Sequence, residues 1–152
     1  MIRHVRSSGL RVDSVVSPYE SLGAELNLYS GCVVCNMQGD PRVGALGRAL
    51  NRRWPGALMK IAPGIEPMIK NFEAAAAGCA VFADRIPELD DLGFADGVSI
   101  VGYDDFDELI DRVKTLSPAD LDRIGRNSAA LCSSRHTWRH RAAELRELLG
   151  EP

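Results

Sequence analysis

The sequence predicts an α/β fold: a Rossmann-like parallel sheet of about four strands, flanked by helices and followed by a C-terminal helical pair. Three observations lead there. Short apolar runs alternate with helical segments along the chain, as in strands joined by crossover helices. Runs such as Cys32–Met37 and Cys79–Ala83 are largely apolar, as buried strands are. Proline, serine and glycine stand where helices must start and stop.

Taken in order, Val12 to Val16 is a weak strand. Ser17-Pro18-Tyr19-Glu20 opens a helix, with Ser17 as N-cap, Pro18 at its first position and Glu20 completing a capping box. Cys32 to Met37 forms a strand, and Asp40-Pro41 caps a helix running to about Trp54. Ala57 to Ala62 is a strand broken by Pro63-Gly64. A helix runs from Pro67 through Ala77 and ends at Gly78 in the C′ position. Strand Cys79–Ala83, a helical turn at Pro87–Leu92 and a strand at 98–101 follow. Helices are expected at Phe106–Leu116, from the Ser117-Pro118-Ala119-Asp120 cap to about Cys132, and at Thr137–Leu149. The last helix carries Trp138, Ala142, Leu145, Leu148 and Leu149 on or near one stripe.

Composition bounds the function. The 152 residues suit one domain, spanning residues 1–152. No apolar run approaches the 18 or so residues of a membrane span, and MIRHVRSSGL contains no apolar core of a secretory signal. A net charge of −3 argues against a general nucleic-acid binder. Four cysteines are too few for a disulfide scaffold, so a cytoplasmic location is expected. From Asp84 to Asp111 there are ten acidic residues and one base, Arg85, whereas bases dominate from Arg112 onward. Both stretches read as solvated faces. A sharper alternative is a basic terminal helix, around Arg139 and Arg141, that docks on another domain or subunit.

The Cys32-x-x-Cys35 pair lies in a strand, where residues three apart point to opposite faces, so it reads as two buried, inert thiols. His136 and His140 have no acidic or cysteine partner at ligand spacing, and no metal is expected. The informative stretch runs from Ala62 to Ala83: strand, Pro-Gly loop, helix, glycine stop, strand. A helix N-terminus after such a loop offers free amides and a positive dipole end to a phosphate, and Lys70 adds a cation. On periodicity alone, Glu73 reads as an exposed helix former.

Phe72-Glu73-Ala-Ala-Ala-Ala-Gly78-Cys-Ala-Val-Phe resembles the "fEalaaG.pvv" segment in the C-terminal domain of GT-B glycosyltransferases. The likeness is closest to the spore-protein YkvP/CgeB-like glycosyltransferase family. Leu28 to Asn36 is similar to that family's "ly..a.vvln" strand, and Val101 to Leu109 to its "y.d.dEl" junction. Arg123 to Arg126, with His136-Thr137-Trp138-Arg139-His140-Arg141, is similar to its closing "HTw..Ra" pattern. The resemblance covers about residues 19 to 149.

It implies a domain that binds a nucleotide-diphosphate sugar at the C-terminal ends of the strands, with Glu73 accepting hydrogen bonds from the ribose hydroxyls. It places Gly64, Glu66, Lys70 and Asn71 near the diphosphate and donor sugar. The eighth position before Glu73, where retaining members carry a second glutamate, is Ile65; Glu66 is one residue off. No cofactor beyond the donor substrate is implied. The resemblance includes neither an acceptor domain nor a catalytic base, so a partner chain or a homo-oligomer is expected to complete a transferase. The alternative is a non-catalytic interaction module derived from a glycosyltransferase half.

Overall fold

The computed structural model describes residues 2–14, 17–35 and 69–150. In chain order these form α1 (Ile2–Ser7), α2 (Tyr19–Leu26), β1 (Gly31–Val34), α3 (Ile69–Ala76), β2 (Ala80–Asp84), α4 (Pro87–Asp91), β3 (Val101–Tyr103), α5 (Phe106–Thr115), α6 (Pro118–Arg135) and α7 (Trp138–Leu148). The strands make a parallel sheet in the order β1-β2-β3, with Cys32 opposite Val81 and Phe82 opposite Val101. All five residues of the central strand β2 are buried, as a parallel strand covered on both faces must be. The α/β class with a parallel sheet and flanking helices is therefore present. The strand expected at 57–62 and the helix expected at 40–54 lie outside the described residues.

The alternation of side chains along each strand sorts the interior into two clusters. On one face Val34, Val81 and Ala83 pack with Leu26 of α2, Ala74 and Ala75 of α3, Leu89 of α4, and Cys132 of α6. On the other, Ala80, Phe82, Val101 and Tyr103 meet Val5 of α1, Leu109 of α5 and Ile124 of α6. Helix α6 contributes to both clusters because it crosses the beginning of β2. A Cβ built on Gly125 would overlap the Gly78 carbonyl and come within 3.3 Å of the Ala80 amide nitrogen, so only glycine permits this crossing.

The turn that α6 crosses is a Schellman stop. The Gly78 amide donates to Ala75 O (2.9 Å) and the Cys79 amide to Ala74 O (3.1 Å), with Gly78 at φ +82°. Gly78 thus ends α3 as its position predicts. The capping box predicted for α6 is also formed: Ser117 Oγ accepts from the Asp120 amide, and Asp120 reaches back to the Ser117 amide. The helix itself continues to Arg135, one turn beyond the expected end.

Three local expectations are corrected. Helix α2 begins at Tyr19 rather than Pro18, because Pro18 adopts an extended ψ of 147° and stands outside it as N-cap. Ser17 then lies one residue too early to cap, and its hydroxyl pairs with that of Ser21 at 2.7 Å. Residues 12–14 form no strand; the Val12 carbonyl accepts from the Arg6 guanidinium (2.9 and 3.1 Å) instead of a ladder partner. Strand β3 starts at Val101, because the amides of Val98, Ser99 and Ile100 all turn back to the Ala95 carbonyl. No helix among the described residues is long and apolar enough to cross a membrane.

Candidate functional site

Helices α2 and α3 pack side by side on one face of the sheet and leave an open groove of about 400 Å³ between them. Tyr19, Leu22, Gly23, Leu26 and Asn27 form one wall; Glu73, Ala76 and Ala77 form the other. The small alanines keep the groove open at one end, and Glu73, half-buried, is the only carboxylate lining it among the described residues. Lys70 lies one turn before Glu73, so the two side chains share a face of α3. Lys70 is exposed, and its ammonium is close enough to Cys32 to oppose the upward push that burial exerts on that thiol.

Asn71 belongs to α3 as well, but its side chain is fully buried within the body of the domain. The structure therefore sets Lys70 and Glu73 one turn apart on α3, with Glu73 and not Lys70 lining the groove, and turns Asn71 inward. Gly64 and Glu66 lie outside the described residues.

The position of Glu73 is set through its neighbour. Phe72 meets Phe94 edge-on (centroids 5.8 Å apart, 65° between planes) and His136 at 5.3 Å, while the His136 and Phe94 rings are stacked at 5.8 Å and 12°. His136 is bonded at both ring nitrogens. Nε2 lies 2.8 Å from the Leu92 carbonyl, and Nδ1 accepts from the Arg141 guanidinium at 2.7 Å. Because guanidinium only donates, Nε2 must carry the proton. His140 serves a different purpose, as its ring closes a capping box with Thr137 at the start of α7. His136 thus joins the end of α6 to α7 and to α3, while His140 fixes the start of α7. The closing motif and the glutamate helix, more than 60 residues apart in sequence, are in contact through one aromatic cluster.

The C-terminal edge of the sheet, where open α/β sheets bind ligands, carries a polar cluster whose members the sequence does not bring together. Cys35 Sγ lies 3.2 Å from Tyr103 Oη, which also lies 3.2 Å from the Val34 carbonyl. Asp84 ends β2 beside them, nearly fully buried. Burial foremost, together with the Cys35 hydrogen bond and the Asp84 charge, pushes the Tyr103 phenol well above its ordinary range. Burial likewise raises the Cys35 thiol. Cys32 packs on the α2–α3 face while Cys35 meets Tyr103, so the pair points to opposite faces as its spacing predicts.

A second polar assembly surrounds Arg85. Its guanidinium donates bidentately to Glu108 (2.9 and 2.8 Å) and to Asp96 (3.2 Å), and lies 3.3 Å from Asp104. Arg112 adds contacts to Asp96 (3.1 Å) and Glu108 (3.4 Å). The hydrogen bonds from Arg85 hold the Glu108 carboxyl down at about 2, against a smaller upward push from burial. For Asp96 burial is the largest influence and pushes upward, but the Gly102 amide and the two arginines outweigh it and leave the carboxyl low. Most acids of the stretch are exposed, as a solvated face requires, but its one base gathers three of the ten: Asp96, Asp104 and Glu108. That Arg85 stands alone among ten acids was the available signal.

A family model described as glycosyl transferase-like matches residues 48–147. The chain belongs to this glycosyltransferase-like family. The match covers α3 through nearly all of α7, and so includes the Glu73 helix, the Arg85 hub and the His136 junction. No curated protein and no solved structure matches the chain.

Proposed function

We propose that this glycosyltransferase-like domain binds a nucleotide-diphosphate sugar as donor, in a GT-B arrangement nearest the YkvP/CgeB-like group. The observation that carries the proposal is Glu73. It is a half-buried carboxylate in a groove large enough for part of a nucleoside, on the helix that the family match includes. An ionised carboxylate accepts two hydrogen bonds side by side, which suits the adjacent hydroxyls of a ribose. Lys70, one turn nearer the N-terminus of α3, would meet the diphosphate, with Gly64 and Glu66 belonging to the same donor site, while Asn71, turned into the core, would brace the helix rather than touch the donor. A cation and helix amides stabilise a departing diphosphate without needing a metal.

Sugar transfer would require an acceptor-binding domain, supplied by a partner chain or by a second copy. In the alternative reading the domain is an interaction module derived from a glycosyltransferase half; the exposed apolar face of α7 favours it. The two readings separate in a thermal-shift panel of UDP, GDP and TDP sugars on wild type, Glu73→Ala and Lys70→Ala. Donor binding predicts a ligand-specific rise in melting temperature that Glu73→Ala abolishes. Lys70→Ala should weaken it, more so at low salt. Equal rises in wild type and Glu73→Ala would remove Glu73 from the site. No rise with any nucleotide would leave the interaction module.

A further inference from the structure

Helix α7 leaves the domain with no buried residue. Trp138 is 74% exposed, Leu145 57%, Leu148 84% and Leu149 64%. These are not scattered. Trp138, Ala142, Leu145 and Leu149 follow one another at spacings of four, three and four, which is the seam of a two-helix coiled coil. Ala142 makes a recess between Trp138 and Leu145 into which a large side chain can insert. Among the described residues none packs on this seam, and a contiguous apolar patch of that kind marks an interaction site.

The charges beside the seam decide what can cover it. Arg139 and Arg146 follow Trp138 and Leu145 directly and line one flank; Arg141 stands on the other, engaged by Glu144 and His136. Glu144 and Glu147 fall on the far side of the helix. An antiparallel second copy, with Trp138 against Leu149 and Ala142 against Leu145, would set Arg139 against Arg146. A parallel copy would set Arg141 against Arg146. Both registers of self-pairing place like charges in contact. The segment 40–54 offers no complement either, since it carries Arg42, Arg48, Arg52 and Arg53 against the single acid Asp40.

We infer that the α7 seam is a docking surface for an amphipathic helix of another polypeptide, one with an apolar seam and acidic flanks. This inference deepens the interaction-module reading by naming its partner class, and it uses none of the donor-site residues, so a nucleotide-induced thermal shift tests the donor reading separately. The test uses the full chain and two labelled synthetic peptides of about four heptads, both with leucine at the seam. One carries glutamate at the flanking positions and the other lysine. Fluorescence anisotropy should show the glutamate peptide binding at least about tenfold more tightly than the lysine peptide. Leu145→Asp should abolish binding, and Arg139→Glu with Arg146→Glu should reverse the preference. All three side chains are exposed, so circular dichroism should show these variants folded. Equal affinity for the two peptides, or binding of neither, overturns the inference. So does self-association in sedimentation that Leu145→Asp abolishes, because a second copy would then be the occupant.

Discussion

Three glycine-to-alanine substitutions separate three physical effects and test the packing that holds the Glu73 helix. Gly125→Ala adds a methyl group inside α6, where the change in helix propensity alone would stabilise by about 1 kcal/mol. The added Cβ would, however, overlap the Gly78 carbonyl, lie 3.0 Å from the Gly78 carbonyl carbon and 3.3 Å from the Ala80 nitrogen. All three are backbone atoms of the stop between α3 and β2, so no side chain can swing aside. Overpacking costs about 1–3 kcal/mol, and a rigid backbone neighbour puts this case at the upper end. The net loss should be about 2 kcal/mol, or roughly 4–8 °C in Tm for a domain of this size. Gly78→Ala meets no atom within 4 Å but must hold φ at +82°, which costs about 1–2 kcal/mol through conformation alone. Gly23→Ala, in α2 with nothing within 4 Å, should raise stability by about 0.5–1 kcal/mol. Urea denaturation followed by circular dichroism would rank the four proteins, with Gly23→Ala first and Gly125→Ala last. A Gly125→Ala variant as stable as wild type would refute the close crossing of α6 over β2.

Two further predictions concern protonation. Glu108 is held at about 2 in the folded chain against 4.5 for a free glutamate, so its contribution to stability is full above about pH 4.5 and is lost as pH falls through about 2. Because Arg85 and Glu108 are each about one-third exposed, screening reduces that contribution to about 1 kcal/mol. Arg85→Met should destabilise by about 1–2 kcal/mol at pH 7 and flatten the pH dependence between 4.5 and 2. An unchanged acid profile in urea titrations would show that the hub does not bind Glu108. Burial pushes the Cys79 and Cys132 thiols up to about 11, so at pH 8 a thiol reagent should modify them only after unfolding. Mass mapping that finds either one modified rapidly in the native chain would contradict their burial.

What could be read from the sequence was local. The Ser117 box and the Gly78 stop each involve residues within a few positions of one another, and local hydrogen bonding determines them. Pro18 misled because its fixed φ suits both a helix start and an extended residue, and only ψ separates the two. Strand β3 was placed too early because Val98 and Ile100 look like strand residues while their amides serve the Ala95 turn. The candidate site divides the same way. Glu73 and Lys70 share a face by helical spacing alone, but the groove needs α2, nearly 50 residues earlier, to supply its other wall. The Tyr103–Cys35 contact joins β1 to β3 across the sheet, and the Arg85 hub joins residues up to 27 positions apart. No local pattern encodes such pairings.

The two proposals rest on opposite treatments of neighbouring elements. Helix α3 is fixed at its end by the Gly78 stop, along its buried face by α6, and at Phe72 by the Phe94–His136 stack. Three independent restraints thus orient the residue beside Glu73, which is more than an exposed helix former would need. A binding carboxylate does need it, because the advantage of a preset acceptor is lost if the helix that bears it can rotate. Helix α7 is anchored at its beginning, through the Thr137 box and the Arg141–His136 bond, and keeps its apolar seam outward. His136 belongs to both arrangements: one face of its ring braces Phe72, and one nitrogen holds Arg141 at the first turn of α7. The helix bearing Glu73 and the helix bearing the seam are thus joined through a single imidazole, whose two bonded nitrogens and ring contacts fix α3 and the first turn of α7 against each other.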